Sequence, residues 1–108
     1  MFAKVNSIGI FGMETYMVQV EADLSQGLPR FDIVGLPDTS VSESRDRVRA
    51  AVKNCSFTFP VSRITVNLAP ADTRKEGALY DLPVFVALLL ASKQLQADLS
   101  GCALIGEL

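Results

Sequence analysis

The stretch that decides the fold is Ile64–Gly77, ITVNLAPADTRKEG, followed after two residues by Tyr80–Val84, YDLPV. Apolar residues at 64, 66 and 68 alternate with others, which is the pattern of a strand that buries one face. The polar and turn-forming residues from 69 to 77 predict a loop. A helix is expected to begin at Asp81, because aspartate is a favoured N-cap residue and a proline two positions later fits the first turn. We expect Asp81 to act only as this cap.

Three strands and a helix are expected before the central stretch, and one strand is expected after it. Residues 15–24 alternate as a half-buried strand does and predict a hairpin with the strand before them. Strands are expected at Lys4–Gly12, Thr15–Leu24, Arg30–Val34, Arg63–Leu68 and Cys102–Ile105. Helices are expected from a cap at Asp38, Thr39 or Ser40 to about Asn54 and from Asp81 to about Ala91. This order, β-β-β-α-β-α-β, predicts an α+β fold with the helices packed on one face of a mixed sheet.

The length and the apolar content predict one domain that belongs to something larger. The 108 residues suit a single domain, residues 1–108, with a core of its own. Apolar residues make up 49% of the chain, the mean hydropathy is +0.30, and the second helix is apolar on every side. We therefore expect that this helix needs cover from a further part of the protein. Because residues 103–108, ALIGEL, contain no polar tail, we expect a fragment truncated on its C-terminal side.

The net charge of the chain and its lack of histidine limit the classes of function that it can have. Twelve acidic and ten basic residues give a net charge of −2, which argues against binding nucleic acid over the whole surface. Cys55 and Cys102 are expected to be half-buried reduced thiols, because they are far apart in a chain without histidine. The N-terminus has no signal-peptide pattern, and the longest apolar run, Val84–Ala91, is too short to span a bilayer. A soluble, cytoplasmic protein without membrane contact is expected.

No catalytic or cofactor-binding motif occurs in the sequence. The Gly-x-x-x-x-Gly-Lys-Ser/Thr pattern that holds nucleotide phosphates is absent. The absence of histidine excludes Ser-His-Asp and Cys-His sites, and residues of the Cys/His type are too few to bind a metal. We therefore expect no catalytic, cofactor-binding or metal-binding residue within these 108 positions.

The central stretch resembles the start of bacterial Mg-chelatase-like AAA+ ATPases of the ComM/YifB type, whose motif reads approximately ITVNLAPAD-R-KEG---DLP. Val34–Asp38, VGLPD, and Lys53–Asn54 followed by Phe57–Pro60 resemble that family in the same order. The resemblance covers essentially the whole chain and implies a Lon-like, ChlI-type N-terminal domain with the fold of ribosomal protein S5 domain 2. It also implies a downstream AAA+ ATPase domain that uses ATP and Mg²⁺, assembles as a homo-hexamer and drives DNA branch migration in natural transformation and recombination.

The relationship to Lon, which the same resemblance implies, bears on catalysis. In Lon, the corresponding loop carries the serine nucleophile of a Ser-Lys dyad. Here that loop is Lys75–Asp81, KEGALYD, and Leu79 stands at the position of the serine. Because leucine has no nucleophilic atom, the resemblance implies that this domain is not a peptidase by that route. Enzymatic activity, as an ATPase, is expected only of the full-length protein.

Three basic residues of the first predicted helix are candidate contacts to DNA or to a partner. Arg45, Arg49 and Lys53 recur every four residues and form a stripe along one helix face, where they suit DNA phosphates. The simpler interpretation is a solvated face balanced by acidic neighbours, including an ion pair between Glu43 and Arg47. The acidic total of the chain favours the second interpretation.

Two further candidates, Arg74 and Lys75, lie in the loop before the second helix. Backbone N–H groups at a helix N-terminus attract anions, so the pair suits an anion or a carboxylate of a partner. The alternative is an exposed turn in which Lys75 pairs with Asp72 or Glu76. Both interpretations stay open.

The leading hypothesis for function is a non-catalytic scaffold or interaction domain that packs against the AAA+ domain of its own chain. The alternative is a DNA- or RNA-binding module of S5-like fold that acts through the basic helix face. DNA is an expected partner of the full-length protein, whereas the sequence leaves open whether this domain contacts it.

Overall fold

The structure, a computed structural model, describes residues 1–70, 75 and 77–108. Its strands are β1 (Phe2–Phe11), β2 (Glu14–Ser25), β3 (Arg30–Val34) and β4 (Arg63–Ala69). Its helices are α1 (Asp38–Asn54) and α2 (Asp81–Ala91), and a 3₁₀ turn at Gly77–Tyr80 leads directly into α2. These elements confirm the expected α+β class. The specific likeness to ribosomal protein S5 domain 2 stays a prediction.

The four strands form one mixed sheet in the order β1-β2-β4-β3. β2 is antiparallel to both β1 and β4, whereas β3 is parallel to β4, and α1 is the connection between these two parallel strands. β1 and β2 pair along almost their whole length, but β4 pairs with β2 only from Gln19 to Ser25. The turn end of the β1–β2 hairpin therefore projects from the sheet as a two-stranded ribbon.

One face of the sheet is buried, because apolar residues alternate with others along each strand. Val18, Val20 and Ala22 of β2 are fully buried, as the sequence predicts. Val48 of α1 and Val84 of α2 belong to the same cluster of buried side chains, so both helices pack on this face. This arrangement confirms the prediction of helices on one side of a mixed sheet. The opposite face carries mainly polar side chains, among them Lys4, Asn6, Gln19, Glu21, Thr65 and Asn67.

The expected last strand, Cys102–Ile105, is wrong, because this part of the described chain contains no strand. The segment follows the free edge of β1, where the Leu104 amide donates to the carbonyl oxygen of Asn6 at 2.9 Å. The Leu104 carbonyl, however, accepts from the hydroxyl of Ser7 at 2.6 Å. In a β-ladder this carbonyl would accept a hydrogen bond from a backbone N–H. Because the Ser7 side chain takes that place, strand pairing does not continue along β1.

The expectation that α2 needs cover from another part of the protein is also wrong. Every residue of α2 is buried or half-buried within the described chain. α1 packs beside it, and the ring of Phe57 meets that of Phe85 edge-on with centroids 6.4 Å apart. The C-terminal segment closes the remaining side, where the Leu82 amide donates to the carbonyl oxygen of Gly106 at 3.0 Å.

The tight connection from β3 to α1 predicts a specific intolerance at Gly35. This residue has φ of +105°, and a Cβ added to it would lie 2.6 Å from the backbone oxygen of Leu68 in β4. We expect Gly35→Ala to lower the free energy of unfolding by about 1–3 kcal/mol, because backbone strain and a clash with β4 combine. Urea unfolding followed by circular dichroism measures the loss.

Gly101→Ala is the matched control for this prediction. A Cβ at Gly101 meets nothing within 4 Å, so the unfolding free energy should change by no more than about 0.5 kcal/mol. Equal losses in the two variants would show that strain at Gly35 is not the cause.

Candidate functional site

Four arginines surround two adjoining cavities at the end of the sheet where β3 and β4 begin. The larger cavity, about 570 Å³, is lined by Arg30, Arg45 and Arg63, and the smaller, about 230 Å³, by Arg30 and Arg49. Asp32 is the one carboxylate that lines either cavity within the described residues. We call this group of Arg30, Arg45, Arg49 and Arg63 the arginine surface.

Strand pairing brings two of these arginines together. Arg30 and Arg63 are the first residues of β3 and β4, and the parallel register places them side by side. Arg30 donates from Nε to both carboxylate oxygens of Asp32, at 2.7 and 3.0 Å. Both side chains of this pair are partly exposed, so it adds at most about 1 kcal/mol to stability. Arg63 is exposed, and its guanidinium has no hydrogen-bond or ionic partner in the described part of the chain.

Arg45 lies on α1 and reaches across the edge of the sheet. Its Nη1 donates to the carbonyl oxygen of Phe31 in β3 at 3.0 Å. The carbonyl belongs to an edge strand, whose outward-pointing backbone groups have no neighbouring strand to pair with. The remaining N–H groups of this guanidinium stay available for a ligand, because the structure shows them no partner among the described residues.

Arg49 lies one helical turn further along α1 and stacks on aromatic rings. Its Cζ is 4.9 Å from the ring centroid of Phe59 and 5.8 Å from that of Phe31. The two rings also contact each other, with centroids 5.5 Å apart. Stacking orients the planar guanidinium without using its N–H groups, so Arg49 remains able to donate hydrogen bonds.

The other candidate residues from the sequence do not join this group. Lys53 is exposed near the end of α1 and lines neither cavity. Arg74 lies outside the described residues. Lys75 is only 4% exposed, and its ammonium donates to the carbonyl oxygen of Pro70. The arginine surface therefore unites two of the expected contacts, Arg45 and Arg49, with two arginines that the sequence analysis missed.

Arg30 and Arg63 were missed although the sequence contains a signal for them. Both predicted strands, RFDIV and RITVNL, begin with arginine. When two parallel strands pair in register from their first residues, those residues lie side by side, as Arg30 and Arg63 do. The signal is usable only once these two strands are known to be neighbours.

Leu79, which the resemblance to Lon places at the position of its serine, is half-buried and packs against the hydrophobic core. Its backbone oxygen accepts a hydrogen bond from the amide of Gly106 at 2.9 Å. Contacts of this kind belong to a structural side chain. The described residues contain no group of three or more His, Cys, Asp or Glu that could hold a metal ion.

The carboxylate of Asp81 is the most buried charge described, and it is not a helix cap. Tyr80 holds the N-cap position of α2, and Asp81 is the first residue of the helix with its side chain completely buried, which corrects the expectation from the sequence. It accepts from the Ser44 hydroxyl at 2.8 Å, from Nε of Arg47 at 2.5 Å and from the backbone amide of Leu108 at 3.3 Å. One carboxylate thus joins α1, α2 and the C-terminal segment.

Arg47 is the cationic partner that makes this burial tolerable. The hydrogen bond that it donates to Asp81 raises the pKa of the Arg47 guanidinium, while partial burial opposes the rise. Because folding raises this pKa, the folded state favours the protonated guanidinium, and Arg47 itself adds no pH dependence to stability below the ordinary arginine range. The predicted pair with Glu43 also forms, at 3.7 Å, but that carboxylate is largely exposed.

Two sequence expectations concern the rest of the surface. Cys55 and Cys102 are free thiols, as expected, but both are exposed and not half-buried, because they lie in segments outside the helices and the sheet. Neither helix in the described part of the chain has the length and apolar character that crossing a membrane requires.

Comparison with known proteins assigns the family. The model of the Mg-chelatase subunit ChlI family matches residues 20–108, so the chain belongs to this family. It is 50% identical over 107 residues to the uncharacterised protein YifB of Salmonella typhimurium, covering 98% of this chain and 21% of that protein. It is also 50% identical over 96 residues to the competence protein ComM of Haemophilus influenzae, covering 89% of this chain and 19% of that one. The chain thus spans about a fifth of the length of these relatives.

The network around Asp81 predicts a large difference between the two acidic partners of Arg47. Asp81→Asn removes a buried charge that receives several hydrogen bonds, so the free energy of unfolding should fall by about 1.5–3 kcal/mol. Glu43→Gln removes an exposed partner four residues away on α1 and should cost no more than about 0.5 kcal/mol. Urea titrations of both variants measure the two values. Similar losses would contradict a special role for the buried carboxylate.

Proposed function

We propose that this domain is the non-catalytic interaction domain of a ComM-like AAA+ ATPase that drives DNA branch migration in natural transformation and recombination. The membership of the ChlI family and the 50% identity to a competence protein support the larger assignment. The full-length protein would bind ATP and Mg²⁺ in a separate AAA+ domain and act as a homo-hexamer in the cytoplasm. These properties are proposed for the whole protein and not for these 108 residues.

The observation that carries the proposal is the arginine surface. Four guanidinium groups line adjoining cavities at one end of a rigid sheet, and the lining holds three more positive than negative charges. Arginine is enriched at binding surfaces because its planar group makes several directed hydrogen bonds and stacks on rings. Beside the cavities, Leu28 and Val61 are 87% and 83% exposed. A polar, arginine-rich site with exposed apolar neighbours is suited to binding a partner.

The non-catalytic part of the proposal rests on Leu79 and Asp81. Leu79 has no nucleophilic atom and packs against the core. Asp81 is a buried acid, but its oxygens are bonded to Ser44, Arg47 and a backbone amide. A carboxylate occupied in this way is a structural element and not a general base.

A chimera tests whether the arginine surface serves a ComM-like function. The matching 96-residue part of this chain would replace the corresponding segment of Haemophilus influenzae ComM, in a strain that lacks its own ComM. We expect the chimera to restore transformation. In the chimera with Arg30→Glu and Arg63→Glu, the transformation frequency should fall at least about tenfold, because charge reversal removes binding. ATPase activity of the purified chimeras should stay within about twofold, since the proposed nucleotide site belongs to a separate domain.

The control for charge alone is Lys4→Glu with Lys93→Glu, which makes the same change in net charge at two exposed lysines outside the arginine surface. Transformation by this control should match that of the unaltered chimera. If the chimera with both arginines reversed transforms as well as the unaltered one, the proposed interaction function is wrong.

A further inference from the structure

We infer that the ligand of the arginine surface is the phosphate backbone of a nucleic acid, bound across the start of β3 and β4 and not along the exposed stripe of α1. This inference rests on the proposed interaction function and names its partner. It moves the contact site from the helix stripe expected from the sequence, which includes Lys53, to a groove formed by two strands and a helix.

The donors of the groove point to a ligand with several anionic oxygens. Arg63 uses none of its N–H groups within the described chain, and Arg30 uses only Nε. Arg45 uses one nitrogen, and Arg49 is held by its face against two rings. Each guanidinium therefore keeps paired N–H groups for a phosphate, and arginine–phosphate contacts are often bidentate.

The geometry disfavours the other anionic ligand, an acidic peptide added to the sheet edge. Such a peptide would gain much of its affinity by pairing its backbone with the edge strand β3. Arg45 already occupies the carbonyl oxygen of Phe31 on that edge, so an added strand would have to displace it. The phosphate backbone of a nucleic acid, by contrast, is bound by protein side chains and needs no pairing with a protein strand.

The net charge of −2 does not oppose this inference, because charge is distributed unevenly. Asp32 is the one acid that lines the two cavities among the described residues, and Arg30 already neutralises it. The acidic side chains of Glu14, Glu21 and Asp23 belong to β2, and none of them lines either cavity. A nucleic acid approaching the groove therefore meets mainly positive charge.

Fluorescence anisotropy of the 108-residue protein with a labelled 20-base-pair duplex and a labelled 20-nucleotide single strand tests the inference. We expect both DNAs to bind at low salt, with log affinity falling against log salt with a slope of about −2 to −3 for three phosphate contacts on the duplex. Arg63→Gln should reduce the magnitude of this slope by about 1. Arg63→Glu should weaken binding by about tenfold at 50 mM salt.

Two lysine variants of equal charge change decide where the DNA lies. Lys4→Glu, on β1 at the far edge of the sheet, should change affinity by less than about twofold. Lys53→Glu should likewise leave affinity nearly unchanged if the groove is the site. A loss with Lys53→Glu as large as that with Arg63→Glu would overturn the groove in favour of the helix stripe. Thermal unfolding of each variant confirms that the fold is intact.

The remaining outcomes separate this inference from the proposed function. Absence of DNA binding at 50 mM salt overturns the inference, while the chimera experiment still decides whether the arginines matter for function. If a polyglutamate peptide displaces DNA as effectively as an unlabelled duplex of equal charge, the groove is a general acidic-ligand site and the assignment to nucleic acid is wrong. Arg63→Lys, which keeps the charge but loses bidentate geometry, should retain part of the affinity.

Discussion

The buried carboxylate of Asp81 is the constraint on which much of the arrangement depends. A charged group without solvent is costly, and the cost is offset only while Arg47, Ser44 and the Leu108 amide remain in place. Arg47 and Ser44 belong to α1, and Leu108 belongs to the C-terminal segment. The carboxylate therefore fixes where three parts of the chain meet, which apolar packing alone specifies less sharply. Among the described residues, every buried side-chain N or O atom has a hydrogen-bond partner, which explains why this polar cluster fits beside the hydrophobic core.

The position of α1 links this network to the arginine surface. Arg47 points inward to α2, whereas Arg45 and Arg49 point towards β3 and its aromatic neighbours. One helix thus carries an inward-facing arginine between two outward-facing ones within five residues. The inward-facing Arg47 fixes the position of the helix and so positions Arg45 and Arg49. Docking α1 through Asp81 sets where the guanidinium of Arg45 meets the edge of the sheet.

Much of this fold is predictable from the sequence, and the reasons for the failures are specific. Alternation in β2 and β4 and the apolar stripe of α1 gave correct strands, helices and buried residues, because local periodicity encodes burial directly. The expected strand at Cys102–Ile105 fails because the Ser7 hydroxyl captures a carbonyl there, and no sequence pattern announces such a contact. The local sequence favours a cap at Asp81 and does not reveal its true partners, which lie 34 and 37 residues away along the chain.

The candidate site was predictable only in part for a similar reason. Helical spacing identified Arg45 and Arg49, since both lie on one helix. Arg30 and Arg63 become their neighbours only through the parallel pairing of β3 with β4, a long-range fact. Likewise, the apolar character of α2 on all sides predicts a missing partner, whereas Phe57 and the residues around Gly106 supply the cover. Composition shows how much apolar surface exists but not which segment will cover it.

The projecting end of the β1–β2 hairpin has a consequence for the dynamics of the domain. Residues 9–16 have each other as ladder partners and lie beyond the reach of β4, so their hydrogen bonds are protected by two strands instead of three or more. An isolated two-stranded ribbon is marginally stable in water, and the exposed side chains of Ile10, Met13 and Met17 add little burial there. Local opening should therefore start at this tip and stop near Ile8, whose carbonyl accepts a hydrogen bond from the Tyr80 hydroxyl at 3.3 Å. The arginines thus lie at the end of the domain where β2, β4 and β3 pair, and the two-stranded tip lies at the opposite end of its longest strands.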